Sequence, residues 1–486
     1  MKKTLGVFFP LYTTTLLMLL GSGLLTTYIS LRLNANNVTG AMIGAIIAAN
    51  YIGLVIGGKI GHFLIARVGH IRAYVSCSGI ITAAVLGHGL TELISVWVIL
   101  RLIIGLCMMC QYMVLESWLN DQSKPNQRGV VFGFYMVASY LGMSLGQIVL
   151  ILQDGLGINT LILIATCFAL CLVPIALTTR TNAGHMSPAP MELKFFINAI
   201  PKILGITLVI GMVVGSFYGM APVYTSQQEF TTQQTGLFMA LAIFAGLLAQ
   251  FPLSWLSDRY NRNRLMQINA LLLTVTALPL ALLPHISFPL LLGIGFVVSL
   301  MQFTLYPLVV ALANDMIEPE RRVSLSACLL MAFGVGACIG PLAVGALIQP
   351  LGGNILYAFF AICGALIVAL SRTRAEEAEP QLAIDAPLPH IAMPDSLVSS
   401  PLSPALNPTF DEQMIHDKMP APELSEEQEA QAMESHAAAA MNEEQPSKFP
   451  PQGADPQIDT GLQRAFEIMK DENAGDENIP AAKPPR

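Results

Sequence analysis

Six residues recur along this chain at one constant offset of 194 positions. Asn120, Asp121, Pro125, Arg128, Gly142 and Gly146 return as Asn314, Asp315, Pro319, Arg322, Gly336 and Gly340. Each copy is embedded in long apolar runs. Two related membrane halves in the same orientation make a body that can rock about a central site, the architecture of an alternating-access transporter. The repeat therefore constrains the fold to a duplicated helical membrane protein.

A spanning helix needs about 20 apolar residues. Twelve runs qualify: 5–31, 40–66, 73–90, 94–119, 129–152, 158–179, 203–226, 234–257, 265–284, 288–313, 323–349 and 354–371. The first follows Lys2 and Lys3 but is too long for a signal peptide, so it reads as an uncleaved span. The predicted class is all-α integral membrane: residues 1–179 form one six-helix bundle, 180–202 a linker and 203–374 a second bundle. In the linker, a polar stretch with Pro188 and Pro190 precedes Met191, Leu193, Phe195, Phe196 and Ile197, which read as an interfacial helix.

Charge separates the body from a tail. Residues 1–374 carry 19 Lys+Arg against 10 Asp+Glu, net +9, whereas 375–486 carry 6 against 22, net −16. The tail is rich in Pro, Glu, Ala and Gln and cannot bury enough apolar surface to offset its ordering entropy. Disorder is expected there, with short helical pieces at 424–441 and 460–472; the second is a candidate contact for a cytoplasmic protein. Within the body, positive loops mark the cytoplasmic side. Arg67, Arg72, Lys124, Arg128, Arg180, Arg259, Arg262, Arg264, Arg321 and Arg322 all fall in loops on one side, and the other side holds only Arg32. Both termini are therefore expected in the cytoplasm.

Few charges enter the spans. Lys59 and His62 lie near the cytoplasmic end of the second span, where Lys59 can snorkel. Arg101 and Glu116 lie deeper in the fourth, fifteen residues or about 22 Å apart, too far to pair. An intramembrane acid is a proton-relay candidate by default. Burial disfavours the charged form of Glu116, which is either such a relay or a structural acid paired with Arg128 or another inner-loop cation. The eight cysteines sit in apolar segments as small hydrophobes; Cys107 and Cys110 have C-x-x-C spacing, with packing favoured over redox or metal chemistry. No phosphate-binding G-x-x-x-x-G-K-[ST] run occurs, and the spans offer no cluster of His and acids at one depth. Neither an enzyme, a cofactor, a metal nor a nucleic-acid partner is expected.

The loops carry a family resemblance. Ser257–Arg264, and Arg67–Arg72 in the first half, resemble the G-x-x-x-D-R-x-G-R-[RK] signature of the major facilitator superfamily. In the first copy Ala66 stands at the Asp position and His62 at the leading Gly; in the second, Asp258 supplies the acid but Ser254 and Asn261 replace the glycines. Arg101 and Gly105 resemble the R-x-x-x-G of the fourth helix. Asp121 with Arg128, and Asp315 with Arg322, resemble its acid-x6-Arg pairing. Gly336, Gly340, Pro341 and Gly345 resemble the glycine–proline motif of the eleventh helix, and Gly142, Gly146 and Gln147 its weaker partner. Glu116–Gly129, Gly215–Tyr224 and Phe303–Pro307 are similar to the bacterial YcaD-like transporters of that superfamily.

That resemblance implies a twelve-helix secondary transporter whose helices one, four, seven and ten line a central cavity. Arg101, Gln111, Tyr112, Glu116, Tyr218, Gln302 and Tyr306 are then the cavity candidates. Arg67, Asp121, Arg128, Asp258, Arg259, Arg262, Asp315 and Arg322 are candidates for an inner gate, where charge-assisted bonds hold one face shut; ordinary solvated charges are the alternative. The implied partners are a small neutral, zwitterionic or amphipathic solute, membrane lipid and a coupling proton. A transporter-like receptor signalling through the acidic tail is the rival reading.

Overall fold

A computed structural model describes residues 2–123, 128–153, 155–177, 193–257, 259–318 and 321–375. The tail beyond Ala375 and most of the linker lie outside the described residues. Among those described, the chain forms fourteen helices and no strand. The first half holds α1 (Lys2–Ala35), α2 (Gly40–Val68), α3 (His70–Leu90), α4 (Ile94–Gln122), α5 (Arg128–Ile151), α6 (Ile158–Leu170) and α7 (Leu172–Ala176). After the short α8 (Leu193–Ala199), the second holds α9 (Pro201–Gln227), α10 (Thr232–Ser257), α11 (Arg262–Leu282), α12 (Phe288–Asn314), α13 (Arg322–Leu351) and α14 (Ile355–Ala375). Twelve helices are long and apolar enough to cross a membrane once α6 and α7 are joined as one span.

Local chemistry sets the helix ends. The Thr39 hydroxyl accepts from the Met42 amide at the start of α2, and the Asn261 side chain accepts from the Asn263 and Arg264 amides at the start of α11. Each caps amides that have no partner within the helix. Gly69 separates α2 from α3 at φ +84°, a conformation that favours glycine.

The repeat is visible in which helices neighbour one another. α1 packs on α5, α2 on α4 and α3 on α6; correspondingly α9 packs on α13, α10 on α12 and α11 on α14. The repeated glycines make the first of these pairings. A methyl group on Gly142 would sit 2.5 Å from the Leu16 carbonyl oxygen, and on Gly146 2.5 Å from that of Leu20. On Gly336 and Gly340 it would overlap the carbonyls of Leu208 and Met212. The glycines let two backbones touch, which accounts for their recurrence through packing alone.

The halves meet chiefly through α2 against α13, α5 against α10 and α1 against α9. Call the end carrying loops 67–72 and 258–264 the basic end. Among the described residues, four hydrogen bonds cross between the halves. Three lie in the part away from the basic end: Ser30 Oγ to Gly219 O at 2.7 Å, Asn34 Nδ2 to Ser226 Oγ at 2.9 Å and Ser144 Oγ to Ala240 O at 3.1 Å. The fourth, Gln250 Nε2 to Tyr140 OH at 3.5 Å, lies nearer the middle. Glycines close the same far end: a methyl on Gly40 would sit 2.6 Å from the Gly345 carbonyl oxygen, and one on Gly44 would overlap that of Pro341. The far end is thus sewn shut by backbone contacts.

Candidate functional site

Helices α4, α9 and α12 supply the predicted cavity residues. On α4, Glu116 is fully buried. The Tyr135 hydroxyl of α5 donates to Glu116 Oε1 at 3.2 Å. Tyr112, one turn back along α4, is also buried. A carboxyl placed against a phenol has a hydrogen-bond partner in either protonation state, because a phenol both donates and accepts. Sequence reading missed Tyr135. It stands seven residues beyond Arg128, on one face of α5, and that spacing was the available signal.

Arg101, two turns into α4 from the far end, is 2% exposed. Its Nη2 donates to Thr26 Oγ1 of α1 at 3.4 Å, and its Nε has no hydrogen-bond partner. Gln111 and Gln302 are fully buried, and neither the oxygen nor the nitrogen of either amide has a protein partner. A buried polar group without a partner costs about 1–3 kcal/mol, so the centre of the bundle holds polar atoms that the protein itself leaves unsatisfied.

An aromatic cluster of the second half reaches the first half through Phe303. Tyr218 of α9 lies 5.7 Å from the ring of Phe303 on α12, and Phe303 also meets Tyr140 of α5 edge-on at 6.4 Å. Tyr306 meets Phe333 of α13 at 5.0 Å. Phe303, Phe333 and Tyr140 were not among the expected site residues. As aromatic residues within long apolar spans they read only as core.

At the basic end, Arg262 and Asp315 form an ion pair with Nη1 2.5 Å from Oδ1. Arg262 is almost fully covered, Asp315 only partly, and Arg262 Nε also donates to Ser257 Oγ at 3.2 Å. The pair joins the start of α11 to the end of α12, so it lies within the second half and does not bridge the halves. The corresponding place in the first half is held by His70, whose Nε2 lies 3.1 Å from Ser117 Oγ. Arg259 stacks on Trp255 with its guanidinium carbon 4.1 Å from the ring centroid. Arg67 is exposed and Arg322 is buried at the start of α13. Asp258 and the side chains of Asp121 and Arg128 lie outside the described residues. In the linker, α8 buries Phe196, and Phe195 carries the Arg321 guanidinium 4.2 Å above its ring.

The sequence profile of the Major Facilitator Superfamily matches residues 11–304. The chain is 26% identical over 352 residues to the MFS-type transporter YcaD of Salmonella enteritidis, covering 71% of this chain and 90% of that protein. YcaD of Salmonella typhi matches to the same extent. Among solved structures, the nucleoside transporter NupG superposes with a TM-score of 0.64 at 17% identity, over 76% of this chain and 98% of NupG. A D-xylose-proton symporter superposes with a TM-score of 0.64 at 16% identity, over 81% of this chain and all of the symporter.

Proposed function

The chain belongs to the Major Facilitator Superfamily, and from that premise we propose that it moves a small organic solute by alternating access, driven by a proton that Glu116 carries. The observation that carries the proton step is the pairing of a fully buried Glu116 with Tyr135. A charge at that depth is costly. A carboxyl that alternates between protonated and ionised forms, with a phenol to satisfy each, turns that cost into a switch. Residues 1–179 and 203–374 act as the two rocking bodies, 180–202 as their linker and 375–486 as a tail open to a cytoplasmic partner. The far end is closed by the contacts Ser30–Gly219, Asn34–Ser226 and Gly40–Gly345, which supports a state whose access is from the basic end. The positive loops on that end support a bacterial inner-membrane location with both termini in the cytoplasm.

The test starts with an unbiased comparison of metabolites in cells with and without the protein, which supplies a substrate. Purified protein is then placed in proteoliposomes. Glu116→Gln mimics the protonated acid and keeps its shape. It should abolish accumulation driven by a pH gradient and preserve exchange of labelled for unlabelled substrate with no gradient. Accumulation against a gradient by the Gln variant would remove Glu116 from the coupling step.

A further inference from the structure

Arg101 is the second charge buried in the spans, and the protonation of Glu116 gives it no role. Its guanidinium has five N–H donors, and one hydrogen bond, to Thr26, uses them. Among the described residues no carboxylate pairs with it; ion pairs such as Arg32–Glu92 and Arg262–Asp315 form elsewhere. Buried charges are ordinarily paired. An arginine that is 2% exposed and whose described hydrogen bond is to a neutral hydroxyl lacks a counter-ion among the described residues.

Arg101 lies next to the contact between the halves. Thr26 lies one turn below Ser30, whose hydroxyl bonds across to Gly219 of the other half. Tyr51 of α2, whose phenol lies within electrostatic reach of Arg101, is one turn below Ile47, which packs against that same Gly219. Arg101 therefore sits directly beneath the seam that closes the far end, at the roof of whatever space the two halves enclose. A ligand held there is uncovered toward one side when the seam parts and toward the other when it is shut.

We infer that Arg101 binds the carboxylate of the transported solute, and that the cargo is an organic monocarboxylate. One positive charge with neutral neighbours matches one negative charge; a dianion would leave a charge unbalanced in the same desolvated place. The planar guanidinium fork with its free Nε fits the two oxygens of a carboxylate side by side. The Thr26 hydroxyl holds Nη2, the nitrogen beside that free Nε in the fork. Asn50, whose Oδ1 is buried without a partner on the same side of α4, is an acceptor ready for a donor elsewhere on the solute. The inference rests on the transporter reading only in calling the bound anion cargo.

Trp97 reports on the site. It is four residues before Arg101 on one face of α4 and stacks edge-on against His88 at 5.1 Å. Purified full-length protein in lipid nanodiscs is titrated with iodide, an anionic quencher of tryptophan fluorescence. Quenching should contain a saturable part that is lost in Trp97→Phe. Acetate should compete with it, whereas acetamide and inorganic phosphate should not. Arg101→Gln should weaken the saturable part by at least about tenfold, as expected for a lost charge-assisted bond, and Arg101→Lys should keep iodide binding. Purely linear quenching, equal in the unaltered chain and in Arg101→Gln, would overturn the site. Equal protection by acetamide or phosphate would overturn the ligand class. Should Arg101→Gln fail to fold, the unaltered chain decides through acetate against acetamide. No transport is needed for any of these readings, so their failure leaves the proton mechanism standing, and the reverse.

Discussion

The seam at the far end can be broken by a single methyl group. Gly40 and Gly345 bring α2 and α13 together so closely that a β-carbon on Gly40 would lie 2.6 Å from the Gly345 carbonyl oxygen and also run into the side chain of Ile348. Backbone cannot yield as a flexible side chain can. Overpacking of a close contact costs about 1–3 kcal/mol. Gly40→Val and Gly345→Val place that cost on the closed far end, where these helices cross between halves. If the open far end relieves it fully, the equilibrium shifts by roughly 5–150-fold. Two pairs of spin labels read the result in a background without native cysteines: Asn36 with Gln233 across the far end, and Ala66 with Arg264 across the basic end. Both variants should lengthen the first distance and shorten the second. Gly58→Val, on the same α2 but with nothing within 4 Å of its added β-carbon, should change neither. If Gly345→Val folds and leaves both distances as they were, the far-end seam is not the element that separates the two states.

Asp315→Asn should remove the carboxylate that meets the covered Arg262, and lower stability by about 1.5–3 kcal/mol, read as an earlier loss of the monodisperse peak on heating. The double variant Arg262→Gln with Asp315→Asn should recover part of that loss. Gly142→Ala and Gly336→Ala should each reduce the amount of folded protein, because a methyl meets the backbone of the neighbouring helix. Gly133→Ala, with open space around it, should not; equal yields for all three would remove the close-packing explanation for the repeated glycines.

The fold was legible because its strongest signals are local and repeated. Span length and loop charge need no knowledge of partners, and the 194-residue repeat announces two bodies. The structure keeps the order and number of the spans and moves their ends by a few residues: α3 begins at His70 where the apolar run suggests 73. Gly69 explains the difference, since the helix restarts directly after it. The polar site was less legible. Arg101, Gln111, Glu116 and Gln302 stand out in apolar runs, but a sequence does not say which side chains they meet. Tyr135 and Thr26 are ordinary residues until the helices are packed. The gate illustrates the limit best. Asp315 bonds to Arg262, 53 residues earlier in the chain, a contact that charge spacing along one helix end does not announce. Spacing along one helix end reports the repeat; the partner is chosen by which helix lies alongside.

The two halves have diverged in where they keep charge, and the difference bears on how such a body works. Arg101 and Glu116 both belong to α4; at the same offset the second half has Gly295 and Val310. At the basic end the asymmetry is reversed. The second half retains Arg262 with Asp315, while the first has Ala66 and His70 at the signature positions, and His70 meets the neutral Ser117. On the proposed reading, the ligand's counter-charge and the proton's carrier ride on one helix of one rigid body, about 22 Å apart. Rocking then leaves their separation unchanged and alters only which side each can be reached from. Two states that must lie within a few kcal/mol of one another are easier to balance in this way, since the described bonds of Arg101 and Glu116 stay within the first half when the seam opens. The second half, free of charges in its corresponding span positions, presents the Phe303 ring to Tyr140 of the first half instead. Such apolar rings slide and repack at lower cost than ion pairs break, which suits the surface against which the first half must move.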